Sequence, residues 1–162
     1  MSDFAADLAE GYGFEGPAIR LGRPFTDPEK TVNAVDVRIP LSLVNRHGLI
    51  AGATGTGKTK TLQLIAEQIV AAGSPVFAAD MKGDLAGIGA PGEVSDKVTG
   101  RATGLDYDWT PASAPIDIVS LTGQDGTPMR ASLAQFGPTL LSKVLSLNDT
   151  QESSLGLVFR FC

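Results

Sequence analysis

The chain has 162 residues, of which 43% are hydrophobic and 19% are charged. This length and composition are those of one globular domain, large enough to bury most of the surface that its unfolded chain exposes. No apolar run approaches the ~18 residues of a membrane span, and residues 1–4 do not resemble the start of a secretory signal. We therefore expect a cytoplasmic protein without membrane segments.

The charge and the cysteine content exclude several kinds of site. The formal net charge is −5, and the Lys and Arg residues are scattered singly along the chain. A protein segment that binds nucleic acid by itself usually carries a basic patch, and the scattered Lys and Arg residues do not predict one. An oligomer could still enclose a basic pore. The single cysteine, Cys162, excludes an internal disulfide and a cysteine-based zinc site.

Short elements are predicted at the start of the chain, in an N-terminal segment of residues 1–40. Residues 1–16 predict a short, marginal helix that ends in glycines. Residues 18–21 predict an edge strand, and residues 35–39 alternate between apolar and polar types, which indicates a half-buried strand that ends at Pro40.

Residues 52–59 form a complete phosphate-binding motif of the type G-x-x-x-x-G-K-[ST]. A short apolar strand is predicted before it at residues 47–51, and a helix after it at residues 60–72. Backbone N–H groups of such a loop cradle phosphates, and the helix turns its positive end toward the same anion. The motif predicts ATP or a related nucleotide bound with Mg²⁺. Lys58 is expected to reach the β- and γ-phosphates and is a candidate catalytic residue, and Thr59 is expected to ligate the metal. The predicted nucleotide-binding residues are Gly52, Ala53, Thr54, Gly55, Thr56, Gly57, Lys58, Thr59 and Lys60.

The helix after the loop and the next apolar run predict the fold class. An apolar stripe at helical spacing indicates packing against a sheet; its members are Leu62, Ile65, Ala66, Ile69 and Val70. Residues 75–80 have no polar face, which is typical of a strand in a parallel sheet. Strand, loop, helix and strand predict a right-handed βαβ unit, and hence an α/β fold with a mainly parallel sheet.

Two acidic residues follow the second predicted strand, and both are candidates for the catalytic machinery. Asp80 ends the apolar run, and Asp84 lies four residues later. Phosphoryl transfer uses an acidic residue near Mg²⁺, but that residue generally ends a later strand. The alternative interpretations are a turn residue for Asp80 and an exposed loop acid for Asp84.

The rest of the chain predicts further short elements of an ATPase core that spans residues 41–162. A helix is expected at residues 93–103, strands at 115–121 and 128–132, and a helix from Gly137 through Leu145. Asn148 is a predicted N-cap with Gln151 as its capping-box partner. The final helix is apolar and has no C-cap, so we expect the core to be truncated and the chain to be a fragment of a longer protein.

Four segments together resemble the bacterial HerA-helicase-like ATPases, a branch of the HerA–FtsK group of P-loop proteins. They are residues 45–63, 77–85, 128–130 and 147–152, in the same order. The resemblance implies a RecA-like ATPase core, usually hexameric, whose relatives pump or unwind DNA with ATP. It assigns nucleotide binding to residues 52–59 and the family's acidic motif to residues 80–84. The family's Asp-Glu motif and subunit-bridging arginine have no counterpart in this sequence, so whether this chain hydrolyses ATP stays open.

Two other functions remain compatible with the motif. A small-molecule phosphotransferase also places this loop between a strand and a helix, and Arg101 and Arg130 are the candidate phosphate-binding side chains. A non-catalytic nucleotide-binding remnant is the other alternative. Stimulation of ATP consumption by DNA would favour the motor protein.

Overall fold

The chain is described by a computed structural model that covers residues 2–27, 30–32 and 35–161, so the predicted terminal thiol of Cys162 lies outside the described residues. Its contacts divide it into two compact units, residues 1–116 and residues 117–162. Among the described residues, the first unit contains helices and two two-stranded sheets, and the second contains helices and one such sheet. This confirms a mixed α/β class.

The first unit contains the N-terminal elements and the predicted nucleotide loop. Its helices are α1 (Ser2–Tyr12), α2 (Lys58–Ala71) and α3 (Asp96–Gly104), and its strands are β1 (Ala18–Gly22), β2 (Phe25–Asp27), β3 (Lys30–Thr31) and β4 (Val37–Pro40). Short 3-10 helices lie at Leu41–Leu43 and Ala86–Gly89. The predicted N-terminal helix, the edge strand and the strand that ends at Pro40 are therefore confirmed.

The sheet formed by β1 and β4 is the centre of the first unit. The two strands are antiparallel, with Ile19 opposite Ile39, and Ile19 is completely buried. Arg38 fastens the end of α1 to this sheet, because its guanidinium donates to the carbonyls of Tyr12 and Phe14 at 2.8 and 3.0 Å. The same guanidinium lies 4.5 Å from the centre of the Phe14 ring, a cation–π distance.

An ionic cluster joins β1 to the residues that follow α3. Arg20 pairs with Asp36 at 2.8 Å and lies 4.9 Å from the ring centre of Tyr107. Arg23 pairs with Asp106 at 3.1 Å. Asp106 has φ of 50°, a left-handed conformation that few residues other than glycine adopt, and its carbonyl accepts from Arg20. These contacts hold the residues that follow α3 against β1.

Helix α2 confirms the helix predicted after the loop, although one member of the predicted apolar stripe is wrong. Leu62 is 42% exposed, whereas Gln63 is only 6% exposed and Ala66 is 8% exposed. The packed face is therefore rotated by about one residue from the predicted one. The reason is that α2 packs on β1 and receives the loop after residue 80 on its Gln63 side, so a polar residue lies at the centre of the contact.

The two strands predicted on either side of α2 are wrong. Neither residues 47–51 nor residues 75–80 pair with another strand in the part of the chain that the structure describes. Leu49 is 89% exposed and Phe77 is 84% exposed. Apolar residues give a segment the tendency to form a buried strand, but a strand exists only where a neighbour pairs with it. The predicted βαβ unit is thus represented by its loop and its helix alone.

The second unit is a helical pair with one small sheet. Strands β5 (Val119–Ser120) and β6 (Thr127–Pro128) pair in parallel, and helices α4 (Leu133–Val144) and α5 (Asp149–Phe161) pack on each other. The strand predicted at residues 115–121 and the one at 128–132 are therefore mostly wrong, since only Val119 and Ser120 of the first and only Pro128 of the second are paired. None of the helices among residues 2–27, 30–32 and 35–161 combines the length and the apolar character needed to cross a membrane.

The helix predicted from Gly137 through Leu145 is present as the second part of α4, and one further turn precedes it. The helix begins after Ser132, whose hydroxyl accepts from the N–H of Gln135 while the Gln135 side chain accepts from the N–H of Ser132. Gly137 has φ of 71° and ψ of 166°, so the helix is kinked there, immediately before Pro138. The predicted capping box of α5 is confirmed, with both bonds between Asn148 and Gln151 at 3.0 Å.

Candidate nucleotide-binding site

The predicted phosphate loop is a tight turn at the start of α2. The N–H of Thr56 donates to the carbonyl of Ala53 at 3.4 Å, which folds the loop back on itself. Gly55 and Gly57 have φ of 80° and 93°, both in the left-handed region that glycine adopts without steric cost. Two of the motif's glycines are therefore required by the backbone path.

Gly52 is required for a different reason, because it lies against the opposite side of the loop. A Cβ atom added at Gly52 would come within 2.6 Å of the hydroxyl of Thr56 and 3.7 Å of Cγ of Lys58. Any larger residue would displace the Thr56 hydroxyl, whereas the distance to Lys58 is an ordinary van der Waals contact. The cradle thus fits a sequence in which position 52 has no side chain.

The ammonium group of Lys58 lies across the loop. Its Nζ donates to the carbonyl of Ala53 at 2.7 Å, and the hydroxyl of Thr56 donates to the same carbonyl at 2.7 Å. A carbonyl oxygen carries a partial negative charge, and a phosphate oxygen is a stronger acceptor for an ammonium group. Lys58 is therefore held over the turn by a contact that an anion in the cradle can replace.

The first turn of α2 directs unpaired donors toward the same loop. The first helical bond runs from the N–H of Thr61 to the carbonyl of Gly57 at 2.9 Å. The N–H groups of Lys58, Thr59 and Lys60 precede this bond and have no acceptor within the helix. With the positive end of the helix dipole, they form the usual anion-binding end of a helix. Lys58 and Thr59 are half-buried, while Lys60, like the loop residues Ala53 and Thr54, is exposed.

Asp80 uses its carboxylate to organise the loop that follows it. One oxygen accepts from the N–H groups of Lys82 and Gly83 at 3.1 and 2.8 Å, and the other accepts from the N–H of Leu85 at 2.8 Å. These donors, Leu85 foremost, hold the pKa of the Asp80 carboxyl below its ordinary value. The charged form is therefore favoured, and its acceptor sites are directed into its own loop.

Asp84 approaches α2 through its backbone. Its carbonyl accepts from Nε2 of Gln63 at 2.7 Å, while its side chain is exposed. Among the described residues no ion pair joins Lys58 to Asp80 or to Asp84. The predicted phosphate loop therefore adjoins the start of α2. The acidic segment contacts the same helix at Gln63, about one turn after Thr59.

A comparison with known protein families decides where this site belongs. The family model described as Helicase HerA-like C-terminal matches residues 27–162. The chain belongs to the HerA-like helicase C-terminal family. Neither the curated proteins nor the solved structures gave a match. The resemblance predicted from the sequence is confirmed at the level of the family, and the phosphate loop and the acidic segment both lie inside the matched residues.

Two glutamines of this HerA-like chain were missed by the sequence analysis. Gln63 bonds to the acidic segment, and Gln68 bonds to both backbone groups of Arg20. A signal was present, because Gln63 lies at helical spacing from Thr59, Ala66 and Val70 and interrupts an otherwise small or apolar face. A polar residue at such a position needs a partner once it is buried.

The candidate phosphate-binding arginines of the phosphotransferase alternative are both exposed side chains. Arg101 lies in the last turn of α3 and is exposed, and Arg130 belongs to the other unit and is also exposed. Their positions lend no support to a kinase-like HerA relative.

Proposed function

We propose that this chain is the ATP-binding portion of a HerA-like DNA-translocating ATPase and that it binds ATP–Mg²⁺ through residues 52–59. The observation that carries the proposal is the position of Lys58 across a glycine turn at the N-terminus of α2. The family match supports it independently, since it relates the chain to helicases of the HerA type.

The residues present fit the nucleotide and its metal. Lys58 would exchange the carbonyl of Ala53 for a phosphate oxygen, and the N–H groups at the start of α2 would donate to the same phosphates. Thr59 is half-buried on the first turn and would ligate Mg²⁺, which in nucleotide sites takes most of its other ligands from phosphate and water. The bound metal would neutralise charge on the phosphates, and the protein would supply position and donors.

Several parts of the proposal extend to the whole protein. The core would span residues 41–162 and continue as a RecA-like sheet, with residues 1–40 as a separate N-terminal segment. Strand partners from such a sheet would cover the exposed apolar residues of segments 47–51 and 75–80. The proposal also includes assembly into a hexamer, movement on DNA, a cytoplasmic location and catalytic roles for Asp80 and Asp84, and the family match is consistent with these parts.

The test of nucleotide binding is the thermal stability of the Lys58→Ala variant with and without ATP–Mg²⁺. A ligand at 100 times its Kd adds about 2.7 kcal/mol of apparent stability. We expect this gain in the wild type and in the control variant Lys97→Ala, whose exposed lysine lies on α3. The gain should be absent in Lys58→Ala, and an unchanged gain in that variant would contradict the proposal.

A second measurement separates the motor protein from a phosphotransferase. ATP consumption is followed with single-stranded DNA, with double-stranded DNA and with a panel of small acceptors. Stimulation by DNA supports the HerA-like activity, whereas phosphate transfer to a small acceptor without any effect of DNA would contradict it.

A further inference from the structure

Among the residues that the structure describes, the amide group of Gln63 makes the one hydrogen bond between α2 and the loop at residues 80–85. Gln63 is 6% exposed, and its Nε2 lies 2.7 Å from the carbonyl oxygen of Asp84. A Cβ atom added at Gly87 would lie 3.5 Å from the same Nε2, so backbone encloses the amide on a second side. A buried amide needs a hydrogen-bond partner, and the carbonyl of Asp84 supplies one.

The loop that Gln63 contacts is itself a closed structure. Its first residue, Asp80, accepts from three N–H groups of the same loop, the last of them at Leu85. Gly83 permits the turn between them with φ of 78°. Because both ends of the loop meet at the Asp80 carboxylate, a bond to Asp84 holds the loop as one piece.

Gln63 also lies on the same face of α2 as the predicted magnesium ligand. Residues four apart on a helix are neighbours with about 5–6 Å between their Cβ atoms, so Thr59 lies one turn before Gln63. A ligand bound at the start of α2 would therefore contact the helical turn that precedes Gln63, the residue that bonds the loop of residues 80–85.

We infer that Gln63 is a positioning residue, which holds the loop of residues 80–85 beside the nucleotide end of α2 and couples the order of that loop to nucleotide binding. This inference rests on the proposed nucleotide site. It gives the acidic segment a defined place without any direct contact between its carboxylates and Lys58.

Hydrogen exchange of the loop amides tests the inference on the full chain, with the non-hydrolysable analogue AMP-PNP and Mg²⁺ as the ligand. Gln63→Met keeps the length of the side chain but removes the donor to Asp84. Without nucleotide, this variant should exchange the amides of Lys82, Gly83 and Leu85 about fivefold faster than the wild type, the effect of one lost hydrogen bond. With nucleotide, exchange should slow in the wild type but not in Gln63→Met, although the variant still binds the analogue.

Glu67→Gln is the control, since it changes an exposed residue of the same helix that, among the described residues, has no hydrogen bond to the loop. Its loop amides should exchange and respond to nucleotide as in the wild type. Gln63→Leu provides a second variant should Gln63→Met fail to fold. Equal exchange with and without the Gln63 amide would overturn the inference alone. A wild-type chain that does not bind AMP-PNP would overturn the proposed function and the coupling, while the nucleotide-free comparison still decides whether Gln63 holds the loop.

Discussion

The side chain of Gln68 completes the edge of β1 by bonding to both backbone groups of Arg20. Its Oε1 accepts from the N–H of Arg20 at 2.8 Å, and its Nε2 donates to the carbonyl of Arg20 at 2.9 Å. The N–H and C=O of one strand residue point to the same edge, so these two bonds lie on the side of β1 away from β4. A side-chain amide thus takes the place of a third strand. Residue 20 precedes the family match, whereas residue 68 lies within it, so this contact joins the N-terminal segment to the helix that follows the predicted phosphate loop.

Replacement of Gln68 by Leu should lower the free energy of unfolding by about 3 kcal/mol, because three side-chain hydrogen bonds, two to Arg20 and one to the carbonyl of Leu64, are lost at about 1 kcal/mol each. Urea unfolding followed by circular dichroism measures the change. Glu67→Gln is the control, since Glu67 is the exposed neighbour on the same helix. Equal stability of Gln68→Leu and the control would show that the amide does not support β1.

Replacement of Gly57 by Ala should destabilise the loop through its backbone conformation. Gly57 has φ of 93°, and a Cβ atom there would meet nothing within 4 Å, so crowding plays no part. A left-handed conformation costs an L-residue about 1–2 kcal/mol, which should appear as lost stability and as weaker nucleotide binding. Unfolding and nucleotide titration measure the two effects.

The control for that variant is Gly48→Ala. Gly48 also has open space around its Cβ position, but its φ lies outside the left-handed region. This substitution should leave stability and nucleotide binding unchanged. If the two alanine variants behaved alike, the left-handed turn would not be what the loop requires.

The Asp80 carboxylate should make the order of its loop depend on pH. The N–H group of Leu85, followed by those of Lys82 and Gly83, holds the pKa of Asp80 below 3.8 in the folded chain. A depressed pKa gives a contribution that is complete above the unfolded value and is lost as the pH falls through the folded value. The loop should therefore be ordered at neutral pH and loosen only below about pH 3.8.

Amide chemical shifts of Lys82, Gly83 and Leu85 measured from pH 7 downward would follow this transition. Asp80→Asn keeps an acceptor oxygen but removes the charge, so its loop amides should exchange faster at neutral pH and show no transition in the acidic range. A transition of the same size in Asp80→Asn would assign the effect to another group.

The elements that the sequence predicted correctly are those determined by neighbouring residues. Helix α2 follows from a glycine at each end and an apolar period between them, and the box of Asn148 and Gln151 needs only residues three apart. The missed box at Ser132 and Gln135 has the same spacing, but Gly137 and Pro138 suggested a later start.

The parts that the sequence did not predict depend on residues distant in the chain. The bonds of Gln63 to Asp84 and of Gln68 to Arg20 join positions 21 and 48 residues apart, and no local pattern specifies such partners. The predicted strands at 47–51 and 75–80 failed for the same reason, since an apolar run cannot supply its own neighbour. The glycine turn before α2 could be predicted because its glycines, its lysine and its helix are consecutive.

The capping box of α5 can be tested by a double-mutant cycle in the second unit. Asn148→Ala removes the acceptor for the N–H of Gln151, and Gln151→Ala removes the acceptor for the N–H of Asn148. Loss of an N-cap costs about 1 kcal/mol, so each single variant should lose stability. Because the bonds are reciprocal, the double variant should lose less than the sum of the two, by about 0.5 kcal/mol or more. Urea unfolding of the four proteins measures the cycle, with Ser153→Ala, an exposed residue of the same helix, as the control. Strict additivity would show that the two side chains cap the helix independently.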